Sequence, residues 1–80
     1  MEDEKFHEVI KLCDKALKIN KDLPEAYNLR ANAKYELMRY NNAIDDFSLA
    51  INKERNNDRY YYNRGQAYQN LNKRIFRIFF

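Results

Sequence analysis

Few residues in this chain could do chemistry, and their spacing excludes most of it. Cys13 is the only cysteine and His7 the only histidine. A thiol nucleophile needs a base within hydrogen-bond reach, and nearly two helical turns separate the pair. No disulfide can close within the chain, and no Cys/His cluster of the zinc-ligand kind exists. Cys13 is therefore expected as a small buried apolar side chain, and His7 as a surface residue. Asp45 and Asp46 are adjacent, so on a helix they point about 100° apart. No second carboxylate group or glycine loop accompanies them for metal or acid–base work, and a solvated helix face is expected. The stretch RYYYNRG, Arg59 to Gly65, joins aromatic rings to cations, as nucleic-acid stacking platforms do. Such platforms need several exposed rings along a basic groove. No enzyme motif emerges, and no cofactor or metal site is expected.

Composition points to helices. Among 80 residues there are one glycine, one proline and no tryptophan, and 34% are charged. That is too few turn residues for a multi-stranded sheet. A chain this short buries only about 60–65% of its unfolded surface, so its core must be thin. The net charge is +3 and uneven. Acids slightly outnumber lysines from Met1 to Asp22, whereas Arg59, Arg64, Lys73, Arg74 and Arg77 face only Asp58 in the last part. This excess is too small to argue a polyanionic partner by itself, and nucleic-acid binding through these five basic residues stands as the weaker alternative function. The acidic, amphipathic start MEDEKFHEVI is unlike a secretory signal. No apolar run approaches the roughly 18 residues needed to cross a membrane. A soluble, cytoplasmic protein is the default expectation.

The elements that position these residues repeat. A shift of 34 residues lays Tyr27 on Tyr61, Arg30 on Arg64, Ala31 on Gly65, Ala33 on Ala67 and Leu37 on Leu71. The same shift lays Phe6 on Tyr40, Val9 on Ala43, Ile10 on Ile44, Ala16 on Ala50 and Leu17 on Ile51. One period holds over two separate segments, the mark of a helical repeat array. Phe6, Val9, Ile10, Cys13, Ala16 and Leu17 recur at three and four, lining one helix face, and Tyr40, Ala43, Ile44, Phe47, Ala50 and Ile51 do the same. The spacing predicts helices over about 3–20, 24–38, 42–54 and 58–71, then a tail. Pro24 suits a first turn, with Asp22 and Glu25 spaced like a capping box. Asp58 is the expected cap of the fourth helix, and Asn41–Asn42 and Asn56–Asn57 the expected turns. Small residues at Ala31, Gly65, Ala43 and Ala50 would allow close helix approach, with Tyr27, Tyr40 and Phe47 filling the gaps. A bulky side chain at Gly65 is expected to overpack, costing about 1–3 kcal/mol.

The segment from Pro24 to Asn57 resembles a tetratricopeptide repeat. Tyr27, Ala31, Tyr40, Ala43, Phe47 and Ala50 stand where that family has its aromatic and small residues, AIDDFSLAI resembles its second helix, and YNRGQAYQNL its first. Lys34 departs from a usual aromatic, and Arg55 from a usual proline. The resemblance covers roughly Phe6 to Leu71. It implies an all-α fold of antiparallel helix–turn–helix repeats stacked as a short right-handed α-solenoid. The array would be residues 1–72, with a second helix (3–20), a complete repeat (24–57) and the first helix of the next (58–72). KRIFRIFF, within a basic and aromatic tail at 73–80, has Arg77 where the repeat wants a small alanine, so no proper second helix is expected there.

The resemblance further implies a protein-interaction scaffold whose concave face binds a peptide or protein segment. Register puts Glu25, Asn28, Asn32 and Tyr35 on that face from one helix, and Arg59, Tyr62, Gln66 and Gln69 from the next, with Asn63 close by. Asparagine, glutamine and tyrosine can bond the backbone of an extended peptide. Asn32 and Asn63 coincide with two asparagines that carboxylate-clamp members use, but Asn28 replaces the expected lysine, so a complete clamp is not expected. Within RYYYNRG, register packs Tyr61 between helices, leans Tyr60 on the preceding pair and points Tyr62 to the concave face. Three readings stay open for the tail, with Ile75, Phe76, Ile78, Phe79 and Phe80: a cap over the last helix, an association contact giving a homodimer, or the stub of a longer array. Contact with an acidic membrane surface is less favoured.

Overall fold

The computed structural model describes residues 2–79 and is all-helical over that range: α1 (Glu2–Ile19), α2 (Pro24–Glu36), α3 (Tyr40–Lys53) and α4 (Asp58–Phe79). Each helix packs on its neighbour in sequence, and α2 also touches α4, whereas the backbones of α1 and α3 do not meet. The shortest Cα dimension, 15 Å, is the depth of two packed helices. Among the described residues no helix is long and apolar enough to cross a membrane.

The caps and turns differ from expectation in three places. Pro24 does occupy the first turn of α2, but Leu23 is the N-cap and makes no side-chain cap bond. The capping box does not form, because both its members are engaged elsewhere. The Asp22 carboxylate accepts from Lys53 Nζ at 2.9 Å, and Glu25 accepts from Arg59. At α4 the cap is Asn57, not Asp58: its Oδ1 accepts the Arg59 backbone N–H at 3.1 Å. The α2–α3 turn is not made by Asn41–Asn42, which lie in the first turn of α3. It is made by Met38 in the left-handed region, φ 63°. There the Met38 N–H donates to Tyr35 O and the Arg39 N–H to Lys34 O, both at 2.9 Å. This pair of bonds satisfies the last carbonyls of α2 and is usually made with glycine.

The fourth helix does not stop near Leu71. It continues unbroken to Phe79, because KRIFRIF contains no glycine or proline and offers no capping signal. The cap reading of the tail is thereby overturned. The last turns run on rather than folding back, and Ile75, Phe76, Ile78 and Phe79 are exposed. Phe80 lies outside the described residues.

Two buried clusters form the core. Ala31, Ala43, Ile44, Phe47 and Ala67 make one, with Tyr35 and Leu71 packed against it. Ala50, Ile51 and Tyr60 make the other, with Tyr27 alongside. Phe47 and Tyr60 are the largest fully buried side chains, each stabilising by roughly 1.5–3 kcal/mol through burial alone. Cys13 is buried as expected, and burial pushes its thiol pKa up. Three expectations fail here. Tyr60 is the buried ring of the triple tyrosine, whereas Tyr61 is exposed. The position equivalent to Tyr61, Tyr27, lies beside the α3 residues Ala50 and Ile51; no described helix covers the same face of α4. For the same reason a Cβ built on Gly65 meets nothing within 4 Å, so the glycine is no close-approach point.

The third failure is Asp46, which is not solvated but only 3% exposed. Arg30 grips it through Nε at 2.8 Å and Nη2 at 2.7 Å, and Lys34 Nζ adds a bond at 2.8 Å. Arg30 Nη1 also reaches Asp14 on α1 at 2.8 Å, so one guanidinium ties three helices together. Its pKa is raised, chiefly by the hydrogen bonds to Asp46. Lys34, the departure from the repeat pattern, is thus matched by a buried carboxylate.

Candidate peptide-binding face

Helices α2 and α4 meet along a seam of polar side chains. Most of its hydrogen bonds join residues 34 to 36 apart in sequence. At one end Arg59 Nη2 donates to Glu25 Oε2 at 2.7 Å. The buried Tyr60 hydroxyl donates to the Glu54 carboxylate at 2.8 Å and lies 3.3 Å from Glu25 Oε2. Burial, followed by the bond to Glu54, pushes its pKa up to about 12. Further along, Asn63 Nδ2 donates to Asn28 Oδ1 at 3.2 Å, and Asn70 Nδ2 to the Tyr35 hydroxyl at 2.6 Å. At the far end Arg74 Nη1 donates to the Met38 carbonyl at 2.9 Å.

This seam divides the expected site residues. Asn28 is 3% exposed and holds α2 to α4, so it is removed from any ligand surface. Asn63 is its partner, and truncating Asn63 would leave the buried Asn28 Oδ1 unsatisfied at a cost of about 1–3 kcal/mol. Glu25 and Arg59 are exposed but paired with each other. Tyr35 is half-buried and bonded to Asn70. What remains open is Asn32, Gln66, Tyr62 and Gln69. Gln66 Nε2 donates to the Tyr62 hydroxyl at 2.9 Å. Asn32, Tyr35, Glu36, Asn63 and Gln66 surround a hollow of about 120 Å³ floored by Phe47.

Asn70, Glu36 and the Phe47 floor were missed by the sequence reading. The findable signal was polar pairs about 35 residues apart, since adjacent repeats bring such positions face to face. The basic residues of the last part are mostly engaged: Arg59 with Glu25, Arg64 with Ser48 Oγ at 3.1 Å, and Arg74 with Met38. Among the described residues no group of three or more His, Cys, Asp or Glu side chains converges as a metal site. Comparison of the chain with protein-family models, with curated proteins and with solved structures finds no match.

Proposed function

We propose that the chain is a non-catalytic recognition module of the tetratricopeptide type, a short right-handed α-solenoid presenting its α2/α4 face to an extended peptide or protein segment. The observation that carries this reading is the hollow over Phe47. Amide groups of Asn32 and Gln66 lie at its edge on helices already packed, with the Tyr62 ring beside them. A ligand there bonds preformed groups, so little affinity is lost to ordering the scaffold. The repeat reading is supported by contacts that recur at the 34-residue shift. Arg30 lies over Tyr27 and Arg64 over Tyr61, at 5.5 and 5.7 Å from the ring centroids. Each also sends Nη1 back to the residue 16 positions earlier, Asp14 or Ser48. The test is a screen of unstructured peptides against dilute chain and against Asn32→Ala with Gln66→Ala. Peptides held by the chain and released by the variant support the reading. No bound peptide, or equal binding to both, removes it.

A second reading is association through α4. It is favoured by the exposed row Ile75, Phe76, Ile78 and Phe79 on a helix that does not fold back.

A further inference from the structure

At the outer side of α1 and α2 lies an apolar hollow of about 350 Å³, lined by Leu12, Cys13, Ala16, Leu23, Ala26 and Leu29. Shifted by 34, its α1 residues are Asp46, Phe47 and Ala50 of α3, its α2 residues are Tyr60 and Asn63 of α4, and the N-cap Leu23 becomes the cap Asn57. Within the chain, that α3/α4 groove is the seat of α2, whose Ala31 packs with Phe47 and whose Tyr27 packs with Ala50 and Tyr60. The helix equivalent to α2 is α4. Its corresponding face, Tyr61, Gly65 and Tyr68, is exposed, and no described helix covers it. Among the described residues there are thus both a seat without a helix and a helix without a seat.

We infer that a second copy of this chain fills the hollow with its α4, stacking copies head to tail so that α4 of one and α1 of the next complete a repeat. The residues that differ between the occupied and the open seat differ together. In the occupied seat Lys34 meets Asp46. The equivalent pair across copies is Tyr68 and Leu12, both apolar, and 47% and 57% exposed. Asn28 bonds Asn63 in the occupied seat, and their counterparts are Tyr62 and Leu29, 68% and 48% exposed. Glu25 pairs with Arg59; across copies Arg59 meets Glu25, again opposite in charge. Two polar pairs within the chain, Lys34–Asp46 and Asn28–Asn63, thus have a tyrosine against a leucine as their counterparts between chains, while the Glu25–Arg59 pairing keeps its opposite charges.

The helix ends agree. In the register of α3, α1 reaches one turn further at its N-terminus, and in the register of α2, α4 reaches more than two turns further at its C-terminus. Inside the chain that space holds the α2–α3 turn. Between copies no turn is needed, and the two extensions run antiparallel, with acidic Asp3 and Glu4 on one and basic Lys73 and Arg77 on the other. Such a contact joins two different surfaces, so it builds open stacks or rings rather than a two-fold dimer. Tyr62 borders both surfaces, but Leu12 and Tyr68 do not line the peptide hollow, so substitutions there test stacking and leave peptide binding measurable.

The test is sedimentation over a concentration series for the wild-type chain, Leu12→Lys, Tyr68→Lys and their equimolar mixture, with helicity checked by circular dichroism. Both side chains are exposed, so the variants keep their fold. The wild type is expected to grow past two copies with concentration. Each variant is expected to associate at least about tenfold more weakly, as an unpaired ammonium is driven against apolar surface. The mixture is expected to stop at two chains, since one intact Leu12–Tyr68 contact survives. Tyr68→Lys with Leu12→Asp in one chain is expected to regain assembly. The introduced carboxylate of one copy then meets the introduced ammonium and Arg64 of the next, as Asp46 meets Lys34 and Arg30. A wild type that stays monomeric overturns the inference. So does one that stops at two copies, or a Leu12→Lys chain that assembles like wild type. A mixture that stays monomeric overturns it too, because the intact Leu12–Tyr68 contact would then fail to hold two chains.

Discussion

Replacing Asp46 by alanine is the sharpest test of how this small core holds. The carboxylate is buried and accepts three bonds of 2.7–2.8 Å from Arg30 and Lys34. Removing one partner of a buried ion pair typically costs about 3–5 kcal/mol, mostly for the charge left behind. Two features reduce that here. The Arg30 and Lys34 side chains are 18% and 20% exposed, so water reaches them, and Arg30 keeps Asp14. The expected loss is therefore about 2–4 kcal/mol, against a total stability near the low end of about 5–15 kcal/mol. With a urea slope of about 1–2 kcal/mol/M for so small a chain, the midpoint should fall by about 2 M. The assay is urea unfolding followed by circular dichroism. Asp45→Ala is the control: its side chain is exposed and should change stability by no more than about 0.5 kcal/mol. Asp46→Leu combined with Lys34→Tyr, which copies the Leu12 and Tyr68 pair, should recover part of the loss, since the Lys34 charge leaves with its partner while Arg30 keeps only Asp14. Equal midpoints for Asp46→Ala and Asp45→Ala would refute the reasoning.

Other expectations follow from the same contacts. Tyr60 has its folded pKa raised to about 12 from 10.0. The folded state therefore keeps its proton longer, and stability falls as pH rises from about 10 to about 12; Tyr60→Phe should flatten that slope in alkaline unfolding curves. Glu54 is shifted the other way, lowered chiefly by the Tyr60 hydrogen bond. Its contribution is present above the unfolded value of 4.5 and is lost as pH falls through the lower folded value, a loss that Tyr60→Phe should also reduce. Gly65→Ala should stabilise the chain by about 0.5–1 kcal/mol, because the site is helical, open and free of clash and alanine favours helix over glycine. A thermal midpoint raised by several degrees in dilute solution checks this, and a lowered one would mean that something does press on Gly65.

Apolar spacing and the 34-residue shift were enough to read four helices and most of the core. Ala31, Ala43, Phe47 and Ala50 are each fully or nearly fully buried, because a face repeating at three and four has nowhere else to go. The open part of the candidate site was also legible: Asn32, Tyr62 and Gln66 follow from register alone. The sequence could not say where charge would be buried. Asp45 and Asp46 are alike as residue types, and only the arrival of Arg30 and Lys34 across the α2–α3 turn makes burial of one of them tolerable. Nor could it apportion RYYYNRG. The shift equates Tyr61 with Tyr27, but burial depends on what stands opposite, and a covering helix is present for Tyr27 and absent for Tyr61 in the described structure. The same physics moved Asn28 from the expected ligand face into the seam, where Asn63 satisfies its amide. Periodicity is a property of one chain segment and can be read from it. Partnership is a property of two segments, and the tertiary structure decided which pairs would meet.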